Sequence, residues 1–204
     1  MAEEFQRRFD EVMAAREVVL GSSRKSIRAS ANSIRAIHRG ELDEAHRLQA
    51  ESRAHLDEGE AAATGHPIRM FAGMLADAQK EYAESLLTEA VTSGSDLPTP
   101  EDLRVDLAPY LNGMAEAIGE CRRTILDMLR TGEMGRSEEL LSAMEDLYHL
   151  LVAMDYPDGV TGHLRRSTDI ARSILEKTRG DLSVSLGQRR LYEALERHRS
   201  GLDA

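Results

Sequence analysis

The chain has 204 residues, a formal net charge of −10 and one cysteine, which allows one well-buried core, demands no second domain and excludes an internal disulfide framework. Aromatic residues make up 4% of it with no Trp, helix formers dominate, and the alternating pattern of strands is absent, so an all-α fold in a single domain over residues 1–204 is expected. No apolar run approaches the ~20 residues of a membrane span, which excludes a spanning role, and the acidic balance argues against nonspecific duplex-DNA binding while leaving room for a local basic track.

The first helix is expected from near Glu3 to His38, stopping at Gly40 after basic residues. At about 1.5 Å per residue it would exceed about 50 Å, and a helix that long needs partners along its length. Val12, Val19, Ile27, Ile34 and Ile37 share one face of it, whereas Arg24, Arg28, Arg35 and Arg39 fall within about 60° on another. A second, polar helix runs from Glu41 to about Ala63, with Leu42, Ala45, Leu48 and Leu56 as its weak apolar side. TGHP breaks the chain, and a third helix follows from Pro67 to Val91 on a stripe of Phe71, Leu75, Ala78, Tyr82 and Leu86.

TSGSDLPTP is the most loop-like stretch, and it leads through a short acidic turn at Glu101 and Asp102 to a fourth helix from about Pro109 to Arg130. Cys121 lies beside Ile118 and Ile125 on that helix, the place of a small core residue rather than a nucleophile. Thr131-Gly132-Glu133 turns the chain into a fifth helix reaching about Met154. After DYPDGVTG, a sixth spans roughly Gly162 to Thr178, and Gly180-Asp181 separates it from a seventh ending near His198. Seven helices with short connections describe a bundle. The charged start MAEEFQRRFDEV lacks the apolar segment of a secretory signal, so the cytoplasm is the expected location.

Carboxylates are the candidate chemistry. Glu81 with Glu84 and Glu116 with Glu120 sit at helical spacing, Glu84, Glu116 and Glu120 off the main apolar stripes and Glu81 at the margin of one, where they suit a divalent cation that prefers oxygen ligands. Spacing alone is weak, because 36 acidic residues in 204 give about six i,i+3 pairs by chance. Glu41 with Glu44 and Asp57 with Glu60 are read as two such accidents, and solvated glutamates are the alternative for the other four as well. Only three of the 26 basic residues are lysine (Lys25, Lys80 and Lys177). An acidic, lysine-poor surface suits a salt-rich cytoplasm, and a GC-rich genome would favour arginine equally, so halophily stays open. No His-x-x-x-His pair and no Gly-rich phosphate loop is present, which argues against a zinc site and against nucleotide hydrolysis.

Several segments resemble the translin superfamily, comprising translin, translin-associated factor X and their archaeal relatives. LGSSRKSIRASANSIRAIHRGE resembles its first-helix pattern, QKEYAESLL its third-helix acidic segment, and PYLNGMAEAIGECRR its Tyr-Leu-x-Gly followed by Gly-Glu-x-x-Arg. LRRSTDIARSILEKTRGDLSVSL resembles its ending, so the likeness covers nearly the whole chain, with Tyr110 to Arg123 the most specific tract. The resemblance implies an all-α subunit of a hollow homo-oligomer, commonly an octamer, that encloses RNA or single-stranded DNA. It implies an endoribonuclease of the translin-associated factor X type acting on single-stranded RNA, with Mg²⁺ or Mn²⁺ held by Glu81, Glu84, Glu116 and Glu120 as catalytic residues. Glu116 departs from the pattern, which has an aspartate there. The nucleic-acid contacts it implies are Arg16 and Arg69; Arg24 and Arg28 of the arginine stripe suit a phosphate backbone, with salt bridges to acidic helices as the alternative, and Arg122 and Arg123, just after Glu120, suit a scissile phosphate, with neutralisation of nearby acids as the alternative. The missing His/Arg cluster at IRMFAGMLAD favours the catalytic type of subunit over a pure RNA or single-stranded DNA binder, which is the main alternative. A helical scaffold with an incidental cavity is the third.

Overall fold

The computed structural model describes residues 1–202, apart from the side chains of residues 68, 201 and 202. Among the described residues the chain forms helices and no strands. They are α1 (Ala2–His38), α2 (Leu42–Ala63), α3 (Ala72–Ser93), α4 (Pro100–Leu103), α5 (Leu107–Thr131), α6 (Met134–Val152), α7 (Asp158–Thr161) and α8 (Leu164–Leu202), with a 3₁₀ turn at Ile68–Met70. The all-α bundle with a long first helix stands, and its helices divide differently from the seven expected.

Two boundaries moved for identifiable reasons. Pro67 opens the 3₁₀ turn rather than α3, because Phe71 has to enter the core, where it is fully buried, before the helix can start. Gly180-Asp181 does not break the chain, so the sixth and seventh expected helices are one. Ala171, Leu175, Thr178 and Leu182 form a buried stripe at i, i+4, i+7 and i+11 that runs straight past Gly180. That packing outweighs the ~1 kcal/mol that a glycine costs inside a helix.

Elsewhere local chemistry acts as expected. Gly132 takes φ +86° and turns α5 into α6, a conformation that costs glycine nothing. Thr99 and Asp102 close a capping box on α4, with Pro100 in its first turn. α5 starts at Leu107, which leaves Pro109 in the first turn, where the lack of an N–H does no harm.

α5 is the central rod, packed against α3, α6 and α8. Met114, Ala117, Ile118, Cys121 and Ile125 of α5 are almost fully buried and, with Leu56, Leu87 and Met144, build the main core. Burial pushes the Cys121 thiol up to about 12, so it is an inert core residue. α1 lies on α2 and α3 through small polar side chains: Ser26 and Ser30 each bond Ser52 at 2.8 Å. Because α2 has 22 residues against 37 in α1, the start of α1 overhangs the bundle. Phe5, Phe9 and Met13 on that overhang are more than half exposed, as are Leu191, Tyr192 and Leu195 near the far end of α8.

Candidate metal centre

The candidate carboxylates lie on α3 and α5, so whether they meet depends on how closely those helices approach. At Gly113 the two backbones touch. A Cβ there would stand 2.6 Å from the Lys80 carbonyl oxygen, 3.0 Å from the Glu84 nitrogen and 3.2 Å from the Ala83 Cβ. Only a residue without a side chain permits that approach. Glu116, about one turn further along α5, is thereby carried to the level of Glu81 and Glu84.

One carboxylate oxygen from each of Glu81, Glu84 and Glu116 lies within 4.8 Å of the others. Oxygens bound to Mg²⁺ at about 2.0–2.1 Å would stand about 2.9–4.2 Å apart in an octahedron, so the three need only a small contraction. Glu84 is 7% exposed and has no hydrogen bond or ion pair among the described residues. Burial, then the charges of Glu81, Glu116 and Glu120, push its carboxyl up to about 9. Glu81 is raised as well, first by burial. The Lys80 ammonium donates to both oxygens of Glu116 at 2.7 Å and lies 3.2 Å from Glu81 Oε1.

Glu120 is placed beside this triad rather than within it. Its Oε2 lies 2.5 Å from Nε2 of His38, whose side chain is 4% exposed at the end of α1. The Thr124 hydroxyl stands 3.4 Å from Nδ1 of the same ring. The His38 hydrogen bond holds the Glu120 carboxyl below the usual range against the opposing effect of burial, and the nearby Arg123 charge helps. In the sequence His38 reads only as the end of a helix. The available signal was its register: positions 24, 28, 35 and 38 span about 80° on one side of α1.

The acid pairs set aside as accidents are held differently. Glu41 bonds Arg39, Glu44 bonds Arg47, and Asp57 and Glu60 both hold Arg53. Each is paired with an arginine, Asp57 and Glu60 through a shared one, whereas Glu81 and Glu116 share one lysine and Glu84 has no partner among the described residues.

The candidate arginines separate into groups. Arg24 and Arg28 are exposed and have no hydrogen bond or ion pair among the described residues, and the same holds for Arg69, on the 3₁₀ turn, and for Arg123. Arg16 lies 3.3 Å from Glu17. Arg122 is engaged in the fold: it donates to Thr178 Oγ1 at 3.1 Å and to Asp181 at 2.7 Å, tying α5 to α8.

No protein-family model matches the chain. An uncharacterised protein of Methanocaldococcus jannaschii is 33% identical over 191 residues, covering 93% of this chain and 84% of that protein. The crystal structure of AfC3PO, a protein of the translin type, is 32% identical with a TM-score of 0.83, covering 92% of this chain and 98% of that one. The chain belongs to the translin superfamily. AfC3PO in a duplex RNA complex is 31% identical with a TM-score of 0.82, over 92% of this chain and 97% of that one. Apo-NeC3PO, 19% identical with a TM-score of 0.81 over 90% of this chain and 96% of that one, shares the translin fold. In this translin-type chain the segment from Tyr110 to Arg123, whose sequence carries the most specific part of the expected resemblance, also brings Gly113 and Glu116 against α3 and Glu120 against α1.

Proposed function

We propose that this chain binds RNA and hydrolyses its phosphodiester backbone, using Mg²⁺ or Mn²⁺ held by Glu81, Glu84 and Glu116, within a closed homo-oligomer. Glu84 carries the reading. A buried carboxylate without a partner is costly unless it is neutralised by a proton or by a cation, and two further carboxylates converge on it. The residues fit a hard divalent ion: all donors are oxygens, on rigid helices, with an ammonium already drawn to the same place. Such an ion, when bound, acidifies water and neutralises charge on a phosphate.

The chain's own residues supply the rest. Glu120 stays ionised because His38 donates to its Oε2, which leaves Oε1 as the acceptor for a proton from an attacking water. Arg24 and Arg28, one turn apart on the side of α1 that ends at His38, form a track along which a phosphate backbone reaches the cluster. The apolar overhangs of α1 and α8 supply the contacts for self-assembly.

The rival is a subunit that holds RNA or single-stranded DNA without cutting it. One observation favours it: Lys80 already neutralises Glu116. Incubating labelled single-stranded and duplex RNA with the protein at stated salt, with and without Mg²⁺, separates the two. Cutting that needs Mg²⁺ and disappears in Glu84→Gln supports the enzyme, while equal binding without cutting in both proteins supports the rival.

A further inference from the structure

We infer that Lys80 is a resident counter-cation of the carboxylate cluster, occupying the place of the divalent ion and giving it up when that ion binds. This rests on the metal reading above. The ammonium lies 2.7 Å from both oxygens of Glu116, the length of a charge-assisted hydrogen bond, and forms a longer ion pair with Glu81 at 3.2 Å. Both oxygens of Glu116 therefore already accept from the ammonium. A divalent ion on the same carboxylate would face a positive charge at close range in a half-buried site, where such repulsion is weakly screened. The two cations exclude each other.

The residue type suits exchange. In a chain with 23 arginines, this position carries one of the three lysines. An ammonium is a compact point charge on a flexible four-carbon stem, able to stand where an ion stands and to withdraw, whereas a planar guanidinium is not. The side chain is 23% exposed, so a path to solvent exists. The exchange also has a direction. Lys80 engages Glu81 and Glu116 but leaves Glu84 without a partner, and a metal ion gains all three. The ammonium keeps the carboxylates gathered when metal is scarce and sets the concentration at which metal enters. An ordinary interhelical ion pair would instead affect stability alone.

The test uses the full chain and Mn²⁺ as probe. Calorimetric titration of wild type and Lys80→Met is expected to show Mn²⁺ binding about tenfold tighter or more in the variant. In wild type, amine-reactive labelling read by mass spectrometry is expected to accelerate at Lys80 on Mn²⁺ saturation, with Lys25 and Lys177 as unchanging internal references. The labelling needs no variant, so a misfolded Lys80→Met leaves it decisive. Equal Mn²⁺ affinity in both proteins with unchanged Lys80 labelling overturns the inference and leaves the metal reading standing. Failure of both proteins, each shown to be folded by circular dichroism, to bind Mn²⁺ overturns both.

Discussion

Replacing Gly113 with alanine perturbs the site without touching any charged group. The added Cβ would meet the Lys80 carbonyl at 2.6 Å, and ordinary contact begins at 3.4 Å, so α3 and α5 have to separate by about 0.8 Å. The obstacle is backbone, which cannot rotate away as a side chain does. Overpacking of this kind costs about 1–3 kcal/mol. For a chain of this length each kcal/mol lowers the melting temperature by about 2–4 °C, which predicts a fall of about 2–12 °C. The same separation draws Glu116 away from Glu81 and Glu84 and weakens Mn²⁺ binding. Gly180→Ala is the control, since nothing lies within 4 Å of a Cβ there. It removes a mid-helix glycine from α8 and should stabilise by about 0.5–1 kcal/mol. Thermal unfolding followed by circular dichroism, with calorimetric Mn²⁺ titration, reads both variants. A Gly113→Ala protein as stable as Gly180→Ala, with unchanged metal affinity, would refute the close approach as the device that assembles the site.

Glu84 titrates near 9 when folded and in the ordinary glutamate range when unfolded, so the folded chain holds its proton more tightly. The stability this contributes is complete below about 4.5 and is lost as pH rises towards about 9, so melting temperatures of metal-free wild type should fall more steeply across that window than those of Glu84→Gln. His38→Ala removes the donor that holds Glu120 in place and ionised; RNA cleavage should drop about tenfold or more while RNA affinity stays unchanged, and an equal loss of both would refute the positioning role. Phe9→Glu combined with Leu195→Glu puts charge on both apolar overhangs, and light scattering should report a smaller particle than wild type; an unchanged mass would place the interface elsewhere.

Much of this was legible from residue spacing. The 3.6-residue stripes of α1, α3 and α5 fall on buried faces, and Gly40 and Gly132 stand at helix ends with φ of +74° and +86°. Gly180 misled because a local breaker signal carries no information about the neighbour against which the flanking Leu175, Thr178 and Leu182 pack. The site divides in the same way. Helical spacing identifies Glu81 with Glu84 and Glu116 with Glu120, but it cannot tell them from Glu41 with Glu44. The difference lies in tertiary partners: arginines within reach of the surface pairs, and a backbone contact at Gly113 that brings α5 onto α3. His38 and Glu120 are 82 residues apart, so no local pattern joins them. Lys80 is adjacent to Glu81 in sequence, yet its hold on Glu116 exists only once the helices have met.

The most direct test of the central claim is an anomalous difference map from crystals of the protein soaked in Mn²⁺. The prediction is a peak within coordination distance of Glu84, shared with Glu81 and Glu116, and a Lys80 side chain withdrawn from Glu116. A map with Lys80 still on Glu116 and no peak beside Glu84 at saturating Mn²⁺ would contradict it.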